Sequence, residues 1–128
     1  MAKDPKSNNF SKGMKTRREV LGNTHVERAI KNTNQIDERF QDFITEGAWG
    51  TVWSNEKLSK RDRSLITISL LAALGHYEEL EMHFKASKNT GATFDEISEV
   101  LMHVAVYAGV PASNCALKIL KRVFKESN

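Results

Sequence analysis

Glu79 and His83 lie four residues apart in the stretch His76-Tyr-Glu-Glu-Leu-Glu-Met-His83, which follows directly on a long apolar run from Arg63 to Gly75. On a helix that spacing puts both side chains on one face, where a carboxylate and an imidazole can serve one small molecule. Imidazole has the unperturbed pKa nearest neutrality, so His83 is the candidate general acid or base, with a structural helix histidine as the alternative. A neighbouring carboxylate can orient or deprotonate the ring, the role open to Glu79. Glu78 and Glu81 mark the stretch as acidic, however, and an exposed helix carboxylate is the competing reading. Arg63, at the start of the apolar run, can pair a carboxylate bidentately or, beside Lys60 and Arg61, be a solvated first-turn charge. His76, Glu79 and His83 also have spacings that metal ligands use, but the zinc helix motif His-Glu-x-x-His is absent and no metal is expected.

Further candidates lie outside this block. Trp49, Trp53 and Tyr107 either wall an apolar pocket or are core and interface residues, core being the better reading for the two tryptophans. His103 precedes Tyr107 on one helical pattern and can line a site or a subunit contact. His76, His103, Tyr107 and Trp49 are therefore the candidate substrate contacts. Cys115, the single cysteine, falls on an apolar helical stripe and reads as buried and inert.

These side chains need helices to hold them. Residues 1–12 are polar, contain Pro5 and lack apolar periodicity, which predicts a flexible tail and a domain over 13–128. A helix is expected from Met14 to Leu21, stopped by Gly22, and another from His25 to about Lys31. Phe40, Phe43, Ile44 and Ala48 recur at intervals of three and four, one helical stripe ending near Gly50. Ser59 caps the long helix to Gly75, with Asp62 as its acidic partner, and this helix must be central because it is apolar on most sides. The next helix runs from His76 to Lys88 and stops at Asn89-Thr-Gly91. Thr93 and Glu96 form a capping box for a helix bearing Ile97, Val100, Leu101, Val104 and Tyr107. Gly109 and Pro111 end it, and Ala112, Cys115, Ala116, Ile119, Leu120 and Val123 describe the last. No segment alternates as a strand, so the fold class is all-α.

Bulk properties narrow the function. A chain of 128 residues suits a single domain. Lys and Arg outnumber Asp and Glu by only 19 to 16, and the surplus sits largely in the first eighteen residues. Nucleic-acid binding has only that basic tail in its favour and no recognisable module, so no nucleic-acid partner is expected. One cysteine excludes an internal disulfide and any Cys-x-x-Cys motif, fitting a reducing compartment. The longest apolar run stops at about half the ~20 residues a membrane span needs, and the N-terminus lacks the apolar core of a signal peptide. A cytoplasmic protein with no membrane partner is expected.

From Met14 to about Leu120 the chain resembles the 4-carboxymuconolactone decarboxylases. The matching segments are Arg17-Arg-Glu-Val-Leu-Gly22 with His25-Val26, Phe40-Gln-Asp-Phe-Ile-Thr-Glu46, Ala48-Trp-Gly50 and Val52-Trp53. They continue with Arg63 to Gly75, Met82-His83, Gly91, Asp95-Glu-Ile97, Glu99-Val100 and Tyr107-Ala-Gly-Val-Pro-Ala112. Such an ordered series is far more specific than any single motif. It departs from the family pattern at Gly47, where an aromatic is common, at His76, where a basic residue is common, and at Glu81, where Arg is common.

The resemblance implies an alkylhydroperoxidase-D-like helical fold of about six to seven helices, assembled into homo-oligomers, often hexamers. It implies a cofactor-free enzyme that converts 4-carboxymuconolactone into 3-oxoadipate enol-lactone with loss of carbon dioxide, in the protocatechuate branch of the β-ketoadipate pathway. His83 and Glu79 match the family motif, which suggests His83 for proton transfer, Glu79 as its orienting carboxylate and Arg63 for a substrate carboxylate or lactone oxygen. The departures leave room for a relative acting on another lactone or keto acid, and for a small-anion-binding oligomer without turnover. The superfamily's peroxidase chemistry needs two thiols, and the corresponding positions fall near His76 and Glu79, so it is not expected.

Overall fold

A computed structural model describes residues 7–127 and shows seven α-helices and one π-helix, with no strand among the described residues. The class is all-α, as the periodicity predicts. The helices group into two compact units, divided between Leu58 and Ser59.

The first unit contains α1 (Asn8–Leu21), α2 (Asn23–Asn32), α3 (Glu38–Ile44) and the π-helix Thr45–Trp53. α1 starts well before Met14 because Ser7 caps it, its Oγ accepting from the Phe10 N–H at 3.0 Å. Asn8 to Lys12, expected in the tail, are thus helical, while residues 1–6 of that expectation lie outside the described residues. Gly22, at φ 92°, turns the chain from α1 into α2 as expected.

The buried line of α1 is Gly13, Thr16, Arg17 and Val20, an i, i+3, i+4, i+7 stripe with one apolar member. It packs against the π-helix through two glycines. A Cβ on Gly13 would fall on the Thr45 carbonyl and 2.7 Å from Gly50 N, and one on Gly50 would meet the Asn9 carbonyl. The wide turn is served by Asn9, whose Nδ2 donates to the Glu46 carbonyl and to Thr51 Oγ1, both at 2.8 Å. Thr16 and Ser54 share a hydrogen bond of 2.7 Å on the same contact.

The predicted stripe over Phe40 to Ala48 requires correction. Phe40, Phe43 and Ala48 are exposed, and the segment buries Thr45, Trp49, Gly50 and Trp53 instead. The i→i+5 winding, seen where Ser54 N–H bonds to the Trp49 carbonyl, takes the chain off the 3.6-residue period on which the prediction rested.

The second unit is a four-helix assembly of α4 (Lys60–Leu74), α5 (Tyr77–Thr90), α6 (Phe94–Ala108) and α7 (Val110–Ser127). α4 packs against each of the other three, the central place expected of it. Ile68 and Ala72 of α4 meet Leu80 and Phe84 of α5, Ile97 and Leu101 of α6, and Ala116 and Leu120 of α7 in one core. Each fully buried Leu, Ile or Phe contributes about 1.5–3 kcal/mol relative to exposure. The caps are local and as predicted: Ser59 Oγ accepts from Asp62 N at 3.0 Å, the Thr93–Glu96 box is closed in both directions, and Gly75 and Gly91 end their helices left-handed. One reading from periodicity fails: Cys115 is exposed because α7 buries Ser113, Ala116, Leu120 and Val123 and carries the thiol beside that line. Tyr107, on the α6 pattern, is 79% exposed.

Candidate functional site

α5 sorts the proposed residues by the face each occupies. Leu80, His83, Phe84 and Ser87 form its buried stripe, so the His83 side chain is 6% exposed with Nδ1 enclosed. Glu79, one turn earlier, is exposed in the first turn and makes no hydrogen bond to His83 among the described residues. The spacing is helical, as predicted, but it spans the border between the buried and solvated sides of the helix.

His76 stands at the N-cap of α5, where its carbonyl accepts from the Leu80 N–H at 2.9 Å. With Tyr77, Glu78 and Glu79 it lines an open depression of about 250 Å³. The structure therefore brings His76 and Glu79 together at the head of α5. Arg63 projects from the first turns of α4, the helix packed on α5; it is half-buried, with its Nε enclosed. It is not a solvated first-turn charge, whereas Arg61 pairs with Asp62 at 2.8 Å and with Glu96 of α6.

His103 and Tyr107 pair with each other on α6, their ring centroids 4.8 Å apart and 34° from parallel, both exposed. Trp49 belongs to the first unit, buried against Trp53 with ring centroids 5.0 Å apart. That is the packing role the sequence favours for it. Among the described residues no group of three or more His, Cys, Asp or Glu side chains is gathered as metal ligands would be. No helix among them is long and apolar enough to cross a membrane.

Two of the departures from the family pattern acquire physical meaning. Glu81 accepts from Arg122 of α7 at 2.8 Å through Nη2 and 3.2 Å through Nε. That hydrogen bond holds the Glu81 carboxyl below the ordinary glutamate range. The reversed charge is thus matched within the unit and ties α5 to α7. At Gly47 an added Cβ would meet nothing within 4 Å, so no neighbour depends on the side chain it lacks. Beside His76, the nearby Cys115 thiol of α7 holds the Tyr77 pKa above its ordinary value.

Sequence reasoning missed the Glu81–Arg122 pair, because residues 41 positions apart on polar helix faces leave no local signal. It also assigned Arg17 to a basic N-terminal surplus, whereas the residue is buried. Its place four residues after Gly13, on the line that faces the π-helix, is the signal that could have found it.

Comparison with known proteins gives the geometry a context. The sequence profile of the Carboxymuconolactone decarboxylase family matches residues 38–122. A 4-carboxymuconolactone decarboxylase of Acinetobacter baylyi is 46% identical over 117 residues, 91% of this chain and 87% of that protein. The nitrosuccinic acid decarboxylase npaB of Metarhizium robertsii is 37% identical over 117 residues, 91% of this chain and 82% of that protein. A 4-carboxymuconolactone decarboxylase of Pseudomonas putida is 42% identical over 41 residues, 32% of this chain and 85% of the sequence compared.

Proposed function

The chain belongs to the carboxymuconolactone decarboxylase family, and from that premise we propose that it is a carboxy-lyase converting 4-carboxymuconolactone into 3-oxoadipate enol-lactone in the β-ketoadipate pathway. The observation that carries this reading is 46% identity, across 91% of the chain, to the Acinetobacter enzyme of that name. The pairing of Glu81 with Arg122 supports it, because the residue that most distinguished this chain from the family pattern adds no unmatched charge.

In the reaction the bond to the carboxyl carbon breaks and carbon dioxide leaves. Its electron pair spreads into the conjugated lactone as an extended enolate, and a proton then adds to carbon. Donors at the lactone carbonyl stabilise the enolate, and an acid completes the reaction. We assign the proton transfer to His83, the orienting carboxylate to Glu79 and the substrate carboxylate or lactone oxygen to Arg63. Support comes from the enclosure of His83 and from the packing of α4, which bears Arg63, on α5, while the role of Glu79 rests on its match to the family motif and not on a bond to the ring. His76, exposed beside Glu79, is the substrate contact this arrangement favours.

We further propose that the chain works as a homo-oligomer, a hexamer by the family resemblance. Ile66, Leu70 and Leu74 form an exposed apolar line along α4, and Met102 and Val106 another on α6, which supports burial against further copies.

A turnover assay on freshly generated 4-carboxymuconolactone, following carbon dioxide release and enol-lactone formation, tests the reading. Wild type is expected to turn over, and His83→Ala to lower kcat by about 10²–10⁴-fold, the usual contribution of a general acid or base. Intact turnover in His83→Ala ends the residue assignment. No turnover by folded wild type ends the substrate assignment and favours decarboxylation of another organic acid, the reading to which the 37% identity with npaB points.

A further inference from the structure

Arg17 is the one buried arginine of the first unit, 6% exposed on the face of α1 that packs on the π-helix. Its Nη1 donates to Thr45 Oγ1 at 3.2 Å and its Nη2 to Gln41 Oε1 at 3.1 Å, both neutral acceptors. Thr45 Oγ1 is itself held by donating to the Gln41 carbonyl at 2.8 Å, so the guanidinium is gripped by an organised pair. Its Nε is a buried donor that no hydrogen bond uses. Burial, and then the neighbouring Arg18 charge, lowers the Arg17 pKa, yet arginine remains a cation at neutral pH.

Buried cations ordinarily sit against a carboxylate, because neutral hydrogen bonds do not repay the loss of hydration around a full charge. Among the described residues no carboxylate forms an ion pair with Arg17. The guanidinium instead lines an open cavity of about 550 Å³ together with Phe10, Met14, Ile30, Gln41 and Thr45. Its volume suits a small molecule, and its mix of apolar wall and one strong donor is what a small-molecule site presents. Glu38 and Asp42 also line it, and their negative charge opposes any anion there, so a ligand with a single carboxylate placed at Arg17 suits the cavity better than a dianion.

We propose that this cavity binds a small organic acid through a single carboxylate seated on the Arg17 guanidinium, its carbon skeleton lying against Phe10, Met14 and Ile30. A carboxylate supplies the ion-pair partner that Arg17 lacks among the described residues, seated on the part of the guanidinium that lines the cavity. This goes beyond the decarboxylase reading, since it concerns binding alone and requires no turnover.

The test uses full-length wild type with hexanoate as the probe and hexanamide, its neutral counterpart, as the control. Binding is followed by the NMR signal of Arg17 Nε–H and by calorimetry. Hexanoate is expected to bind saturably at millimolar concentration or below and to shift the Nε–H signal, whereas hexanamide does neither. Arg17→Met is expected to weaken hexanoate binding by at least about tenfold, the scale of one lost charge-assisted hydrogen bond. Arg17→Lys retains part of the binding, because it keeps the charge without the planar fork. An unmoved Nε–H signal in the presence of saturating hexanoate, equal binding of hexanamide, or wild-type affinity in Arg17→Met overturns the proposal. Should Arg17→Met not fold, the wild-type signal and the amide control decide the matter alone.

Discussion

Glu81 and Arg122 hold opposite charges on two packed helices, with side chains 31% and 56% exposed, so the pair is worth little to stability but much to local charge balance. Glu81→Gln is expected to cost about 0.2–1 kcal/mol at neutral pH. Because the folded pKa of Glu81 is lowered, this stabilisation is present above its unfolded value and is lost as pH falls through the folded one. Thermal unfolding of the two proteins should therefore differ at pH 7 and converge in acid. Turnover should be the same for both, and a large loss in Glu81→Gln would place the carboxylate in the reaction. The contrast with His83 shows what residue spacing conveys. Glu79 and His83 were correctly placed one turn apart, but which of them faced the interior depended on Leu80 and Phe84 finding a core, and that is a tertiary fact. Arg17 was misread for the related reason that its buried line contains Gly13 and Thr16 and carries almost no apolar signal.

Elements ended where local chemistry decides the matter. Ser59 with Asp62, Thr93 with Glu96, Gly75 and Gly91 all act through bonds within a few residues, and each was legible in the sequence. The contact of α1 with the π-helix was not, since it depends on Gly13 admitting the main chain of Thr45 and Gly50 and on Gly50 admitting that of Asn9. Gly13→Ala should destabilise the protein by about 1–3 kcal/mol, the cost of overpacking a rigid contact, because the new methyl meets main chain and not a movable side chain. Gly47→Ala supplies the control within the same unit. It adds a methyl into open space at a residue without positive φ, and should stabilise by about 0.4–1 kcal/mol through the unfolded chain. Urea unfolding of the two variants measures the difference; equal stabilities would show that the close approach does not hold the first unit together. The shift from α to π winding also explains why the Phe40 stripe was misassigned. Apolar residues at intervals of three and four identify a helix face but not what covers it, and here Phe43 stays exposed while Trp49 and Trp53 turn inward.

For the whole molecule, the surface carries more apolar side chain than the fold needs. Leu70 and Leu74 of α4 and Val106 of α6 are more than half exposed, although α4 is the helix that its own unit surrounds most completely. This resolves why α4 reads as apolar on most sides: Ser64, Ile68 and Ala72 satisfy the core, and Ile66, Leu70 and Leu74 occupy a second face. Burying one such leucine contributes about 1.5–3 kcal/mol, and in a closed symmetric assembly every interface repeats the gain. Sedimentation of wild type at micromolar concentration should therefore give a mass several times the 14.5 kDa chain, six times for a hexamer. Leu70→Lys should shift the population toward the single chain without unfolding it, since a side chain exposed in the chain has no core partner to lose. A wild-type protein that sediments as one chain would sink the oligomer. A Leu70→Lys variant that assembles like wild type would move the interface off α4, leaving Val106→Lys on α6 to show whether the second apolar line is the one that copies share.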